Sequence, residues 1–102
     1  MILNLSGSLD YELENKIFKN IKEVSKEIGE PPHVLRYWEK TFKEINIVKA
    51  PNGRRLYRQT DINLIKEIKS LFRDEGFTTR GVKQILQKQQ NELQKLQENN
   101  KI

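Results

Sequence analysis

A chain of 102 residues holds one small domain, and with only 35% hydrophobic and 8% aromatic side chains its core must be small, leaving part of the length dependent on a partner for burial. The absence of cysteine removes disulfides, thiolate catalysis and thiolate metal ligation, and a single histidine builds no metal site alone. No nucleophile–base pair or phosphate-binding loop is visible, so neither an enzyme nor a cofactor is expected.

The net charge of +5 is unevenly spread. Residues 1 to 17 carry one basic and three acidic side chains, residues 18 to 58 carry ten and five, and residues 59 to 102 carry eight and six. Within the middle segment, 49 to 58 holds Lys49, Arg54, Arg55 and Arg58 with no acid, the footprint of a phosphate-binding surface, with a merely solvated face as the alternative. No apolar stretch has the length to span a bilayer, and the opening MILNLSGSLDYELENK lacks the basic start of a secretion signal. The expected setting is the cytosol, at the nucleoid.

In chain order, Leu9, Leu13 and Ile17 have the spacing of a short helical stripe, fit either to reinforce a dimer or to remain a loose arm. Asn20 and Glu23 stand at capping-box spacing, and Ile21, Val24 and Ile28 recur behind them with helical period. The first full helix therefore starts at Asn20 and runs to Gly29, whose left-handed tolerance ends it. Pro31 and Pro32 cannot continue that helix but suit the first turn of the next.

That next helix carries two faces. At about 100° per residue, Val34, Leu35, Trp38 and Phe42 fall in one sector, with His33, Arg36, Tyr37, Lys40 and Lys43 on the opposite side. The first set is core. The second has the make-up of a helix lying in a DNA major groove, with donors for phosphates and base edges and a phenol that reaches either.

Residues 45 to 58, INIVKAPNGRRLYR, predict a hairpin. Asn52-Gly53 is a favoured pair for a two-residue turn with positive φ, and Pro51 is confined to an edge or to the loop. A basic hairpin directly after such a helix has the form of a wing that grips the backbone beside the groove. Alternation sends Arg54 and Arg55 to opposite faces, so Arg55 either meets DNA or pairs with Glu39 as an internal strut.

Residues 60 to 75 predict a third helix with an apolar stripe of Ile62, Ile65, Ile68, Leu71 and Phe72, closed by Gly76. Thr78 caps a fourth. Along it Val82, Leu86, Gln89, Leu93, Leu96 and Asn100 alternate spacings of four and three, the heptad seam of a coiled coil. One narrow seam implies a second copy of the chain, unless NELQKLQENN is a frayed tail.

The segments IKEVSKEIG, PHVLRYWEKTF, NGRRLYRQTDI and GFTTRGVKQIL, in this order over about residues 18 to 86, resemble the DNA-binding domain of the MerR family of bacterial transcription regulators. Leu35 to Glu39, the Gly53, Arg55 and Tyr57 of the hairpin, and Thr78 to Leu86 carry the likeness most specifically. The resemblance implies a mainly α winged helix-turn-helix with a C-terminal coiled-coil helix. It implies a homodimer that binds a pseudo-palindromic operator in double-stranded DNA and distorts it, with RNA polymerase as a further partner at a promoter. Family DNA contacts carry over to Arg36, Tyr37, Lys49, Arg54 and Arg55. Glu30 stands where an apolar turn residue is usual and Pro31 where a Ser or Thr cap is usual. The chain also ends soon after the coiled coil, so the expected form is a short one with no small-molecule effector domain.

The expected divisions are an arm at 1–17, a winged domain at 18–77 and a dimerisation helix at 78–102. Two other classes remain beside the regulator. One is an architectural DNA binder of the excisionase or chromosome-organising kind. The other is a protein-interaction module whose basic face meets an acidic partner.

Overall fold

The computed structural model describes residues 16–99. The expected stripe of Leu9 and Leu13 and the seam position Asn100 lie outside the described residues. The order is α1 (Ile21–Ile28), α2 (Pro32–Thr41), β1 (Val48–Lys49), β2 (Arg55–Leu56), α3 (Gln59–Arg73) and α4 (Thr79–Asn99), a winged helix-turn-helix followed by a long C-terminal helix. Two compact units divide the chain, one up to Ile65 and one from Lys66.

In the first unit α1 begins as its sequence dictates. The Asn20 side chain accepts from the Glu23 N–H at 2.9 Å, and the Glu23 carboxylate accepts from the Asn20 N–H at 2.9 Å, so two end donors are satisfied reciprocally. Gly29 closes the helix at φ 82°, and its N–H and that of Glu30 both donate to the Ser25 carbonyl. Ser25 returns the tie by donating its hydroxyl to the Glu30 carbonyl at 2.6 Å, which fixes the tight turn into α2. There Pro31 occupies the N-cap without a side-chain bond and Pro32 the first turn, where a missing N–H costs nothing.

Packed against α1, α2 buries Leu35 and Trp38. Phe42 is buried too, but the helix stops at Thr41, with the Phe42 N–H donating to the Trp38 carbonyl and the Phe42 backbone turning extended. Removing either ring would cost about 3 to 5 kcal/mol, because cores of this size collapse poorly around a lost aromatic.

The hairpin pairs Val48 with Leu56 and Lys49 with Arg55, antiparallel. Its loop differs from the expected two-residue turn. The Ala50 N–H donates to the Arg54 carbonyl and the Gly53 N–H to the Ala50 carbonyl, so the loop is Pro51-Asn52-Gly53. Only Gly53, at φ 87°, is left-handed. Pro51 is the reason: its φ is locked near −65°, the value a type I turn needs at its second residue, and the following glycine absorbs the reversal. The Asn52 side chain accepts from the Arg54 N–H at 2.9 Å and stiffens the loop.

One contact has no periodic signature in sequence. Lys19 pairs with Tyr57 through both backbone bonds, at 2.9 and 2.8 Å, tying the approach to α1 to the end of the hairpin. From Tyr57 the chain enters α3, whose Ile62 and Ile65 are buried in this unit.

In the second unit Ile68 and Leu71 of α3 and Val82 and Leu86 of α4 are buried. The third helix ends at Arg73 rather than 75, since the N–H groups of Asp74 and Glu75 converge on the Ser70 carbonyl before the chain turns through Gly76. The Thr78 hydroxyl accepts from the Gly81 N–H at 3.1 Å and caps α4 as expected.

Candidate nucleic-acid interface

The polar face of α2 is open. His33, Arg36, Tyr37 and Lys40 are all exposed on it, while Leu35 and Trp38 take the opposite side into the core. Lys43 is exposed as well, but it lies in the turn past the end of the helix, so the angular position assigned to it on a continued helix does not hold. The only acid within α2 is Glu39, and it is engaged elsewhere.

Glu39 reaches the hairpin. Its Oε2 accepts from Arg55 Nε at 3.0 Å, with side-chain exposures of 15% and 27% for the two partners. The strut alternative for Arg55 is therefore the contact present. Lys49, directly opposite Arg55 in the ladder, shares that face of the ribbon. Lys49 and Arg54 keep exposed side chains.

Arg58 is tied down differently. Its Nε and Nη2 donate to the two oxygens of Asp61 at 3.0 Å each, and Nη2 also donates to the Asn46 carbonyl at 2.9 Å. The side-chain hydrogen bonding to Asp61, and then the charge of that carboxylate, hold the guanidinium above its usual pKa. Asp61 also accepts from the Arg58 N–H at 2.8 Å, which caps the start of α3. A residue expected to meet phosphates is thus the clasp at the base of the hairpin. Asp61 was missed from sequence, although an acid three residues into a helix start is the available signal.

Tyr57 sits beneath this surface, 1% exposed, its hydroxyl without a hydrogen-bond partner among the described residues. Burial first, and the Glu39 charge second, push its pKa up to about 12. Its neighbourhood includes Arg55 and Arg36, whose charges act in the opposite sense.

Along α4 the heptad positions divide. Val82 and Leu86 were expected to face a second chain, but at 0% and 2% exposure they are already covered within this one. Heptad spacing alone does not distinguish the two kinds of burial. Gln89 donates to the Glu67 carboxylate of α3 at 2.7 Å. Leu93 and Leu96 are the seam leucines left open, at 55% and 59% exposure, on a stretch from 87 to 99 that is exposed throughout.

No helix among the described residues is long and apolar enough to cross a membrane, and they hold no group of three or more histidine or carboxylate side chains placed to bind a metal ion. No curated protein is a significant match to the chain. Residues 19–89, more than half of the sequence, match the family model for the MerR HTH family regulatory protein. Helix-turn-helix, hairpin and matched span coincide, and the chain belongs to the MerR family of DNA-binding transcription regulators.

Proposed function

We propose that the protein binds double-stranded DNA as a homodimer at a pseudo-palindromic operator, with α2 in the major groove and the hairpin against the adjoining backbone. The exposed face of α2 carries this reading: Arg36 and Tyr37 are the side chains for base edges and nearby phosphates, flanked by His33, Lys40 and Lys43. Lys49 and Arg54 meet phosphates from the hairpin, with Arg55 and Arg58 supporting them from behind.

The open leucines Leu93 and Leu96 support the dimer, since at 55% and 59% exposure each still forgoes about half of the roughly 1.5 to 3 kcal/mol that full burial of a leucine contributes. Two copies joined there hold two recognition helices at a fixed spacing, so the operator has two-fold symmetry, and the DNA between half-sites is distorted where the spacing is out of phase. Placed in a promoter, such a distortion acts on RNA polymerase, which makes the protein a regulator of transcription at the nucleoid.

The test is to recover the genomic fragments that the purified protein binds and to footprint them. Discrete symmetric sites near promoters are expected. Scattered weak sites would favour an architectural binder, and no binding would leave an interaction module.

A further inference from the structure

Two elements that grip one duplex must keep a fixed separation and angle, and the hairpin is too slight to keep them by itself. Its strands are two residues each, and an isolated pair of this size is at best marginal in water. Its base is clasped by Arg58 on the Asn46 carbonyl and by the Lys19–Tyr57 bridge. Nearer the loop, the tie is the 3.0 Å contact between Arg55 of β2 and Glu39 of α2.

Glu39 is an odd residue for that helix. It follows Arg36 and precedes Lys40, and an anion there repels the phosphates that those cations attract. What it does instead is hold a residue that neighbours Arg54 in sequence and faces Lys49 across the ladder. The charges of Glu39, Arg55 and Arg36 all act on the buried Tyr57 hydroxyl.

Building on the DNA-binding reading, we propose that Glu39 is a positioning residue: by holding Arg55 it fixes the hairpin relative to α2, so that Lys49 and Arg54 reach the backbone of the duplex whose groove α2 occupies.

The experiment compares the unaltered chain with Glu39→Gln, Arg55→Gln and the double variant, on a labelled duplex that the unaltered chain has selected from a random-sequence pool. Affinity is measured over a range of salt, well below each variant's melting temperature. Charge alone predicts that Glu39→Gln binds more tightly. Positioning predicts the opposite sign: an affinity loss of about ten-fold, non-additive in the double variant, as expected for two groups in contact. It also predicts a shallower salt dependence, by about 0.9 for each phosphate that the hairpin no longer reaches, although Glu39 itself carries no positive charge. Binding by Glu39→Gln that is as tight as that of the unaltered chain, with the same salt slope, would overturn the role, and so would losses that simply add in the double variant. Failure of the unaltered chain to bind any duplex would instead remove the DNA-binding reading, and this role with it.

Discussion

The hairpin and the C-terminal half of α4 are both too slight to be stable alone, and they meet that need in opposite ways. The hairpin is tied inward by the Lys19–Tyr57 bridge, by Arg58 on Asp61 and Asn46, and by Arg55 on Glu39. In α4 the inward tie farthest along the helix is Gln89 to Glu67, and beyond it Leu93 and Leu96 stand in solvent. The difference separates two uses of surface residues. In the hairpin, charges that look alike in sequence differ in use: Arg55 and Arg58 hold carboxylates, while Lys49 stays exposed. In α4, leucines that look alike split into Leu86, covered by the chain itself, and Leu93 and Leu96, which stand in solvent.

The largest effect is expected where the chain lacks its own partner. Leu93→Glu should leave both compact units folded, yield a monomer by light scattering, and lower apparent affinity for a two-fold-symmetric site by about 100-fold through loss of bivalency. An unchanged dimer would transfer α4 to the self-sufficient side of the comparison.

Next comes the open face of α2. Arg36→Ala and Tyr37→Ala should each weaken specific binding by about 1 to 3 kcal/mol with no change in melting temperature, because neither side chain contributes to the core. Equal affinity in both variants would take α2 out of the groove.

A smaller effect probes the joint between helix and hairpin. Tyr57→Phe removes a buried hydroxyl with no described partner and should stabilise the protein by about 1 kcal/mol at neutral pH. The raised pKa gives a further sign. Unfolded, the phenol ionises near 10.0; folded, it does so only at about 12, so above pH 10 the folded state binds more protons and stability falls as pH rises. Urea melts from pH 9 to 12 should therefore fall more steeply for the unaltered protein than for Tyr57→Phe.

The smallest effect distinguishes cation from cation within the hairpin. Lys49→Gln should flatten the salt dependence of DNA binding by about 0.9 without altering the melt, since its side chain is exposed. Arg58→Gln should do the reverse, lowering the melting temperature because Asp61 and the Asn46 carbonyl lose their donor. Matching behaviour in the two variants would erase the division between frame and contact.

How far the sequence reached follows the range of the forces involved. The Asn20–Glu23 box, the Gly29 stop and the two faces of α2 as far as Thr41 are local, and each stood where its spacing put it. The three-residue loop was also local in cause, but the strong Asn-Gly signal masked the preference set by Pro51. The Lys19–Tyr57 bridge rests on a single residue pair far apart in sequence, below any periodic signal. The α2 terminus hid because Phe42 stays buried after the helix has ended, which lets the apolar pattern run on past the backbone bonds. For the arginines, composition revealed the basic patch and alternation left Arg55 a choice between DNA and Glu39, but that choice turns on a contact 16 residues away in sequence.

Hydroxyl-radical footprinting of the purified chain on a duplex it has itself selected tests the central claim most directly. Two protected tracts related by two-fold symmetry are predicted, each comprising one half-site with flanking backbone cover from the hairpin, and both should weaken together in Arg36→Ala at the protein concentration that half-saturates the site for the unaltered chain. A single asymmetric tract at saturation, or symmetric protection that persists unchanged in Arg36→Ala, would contradict a dimer that binds DNA through α2.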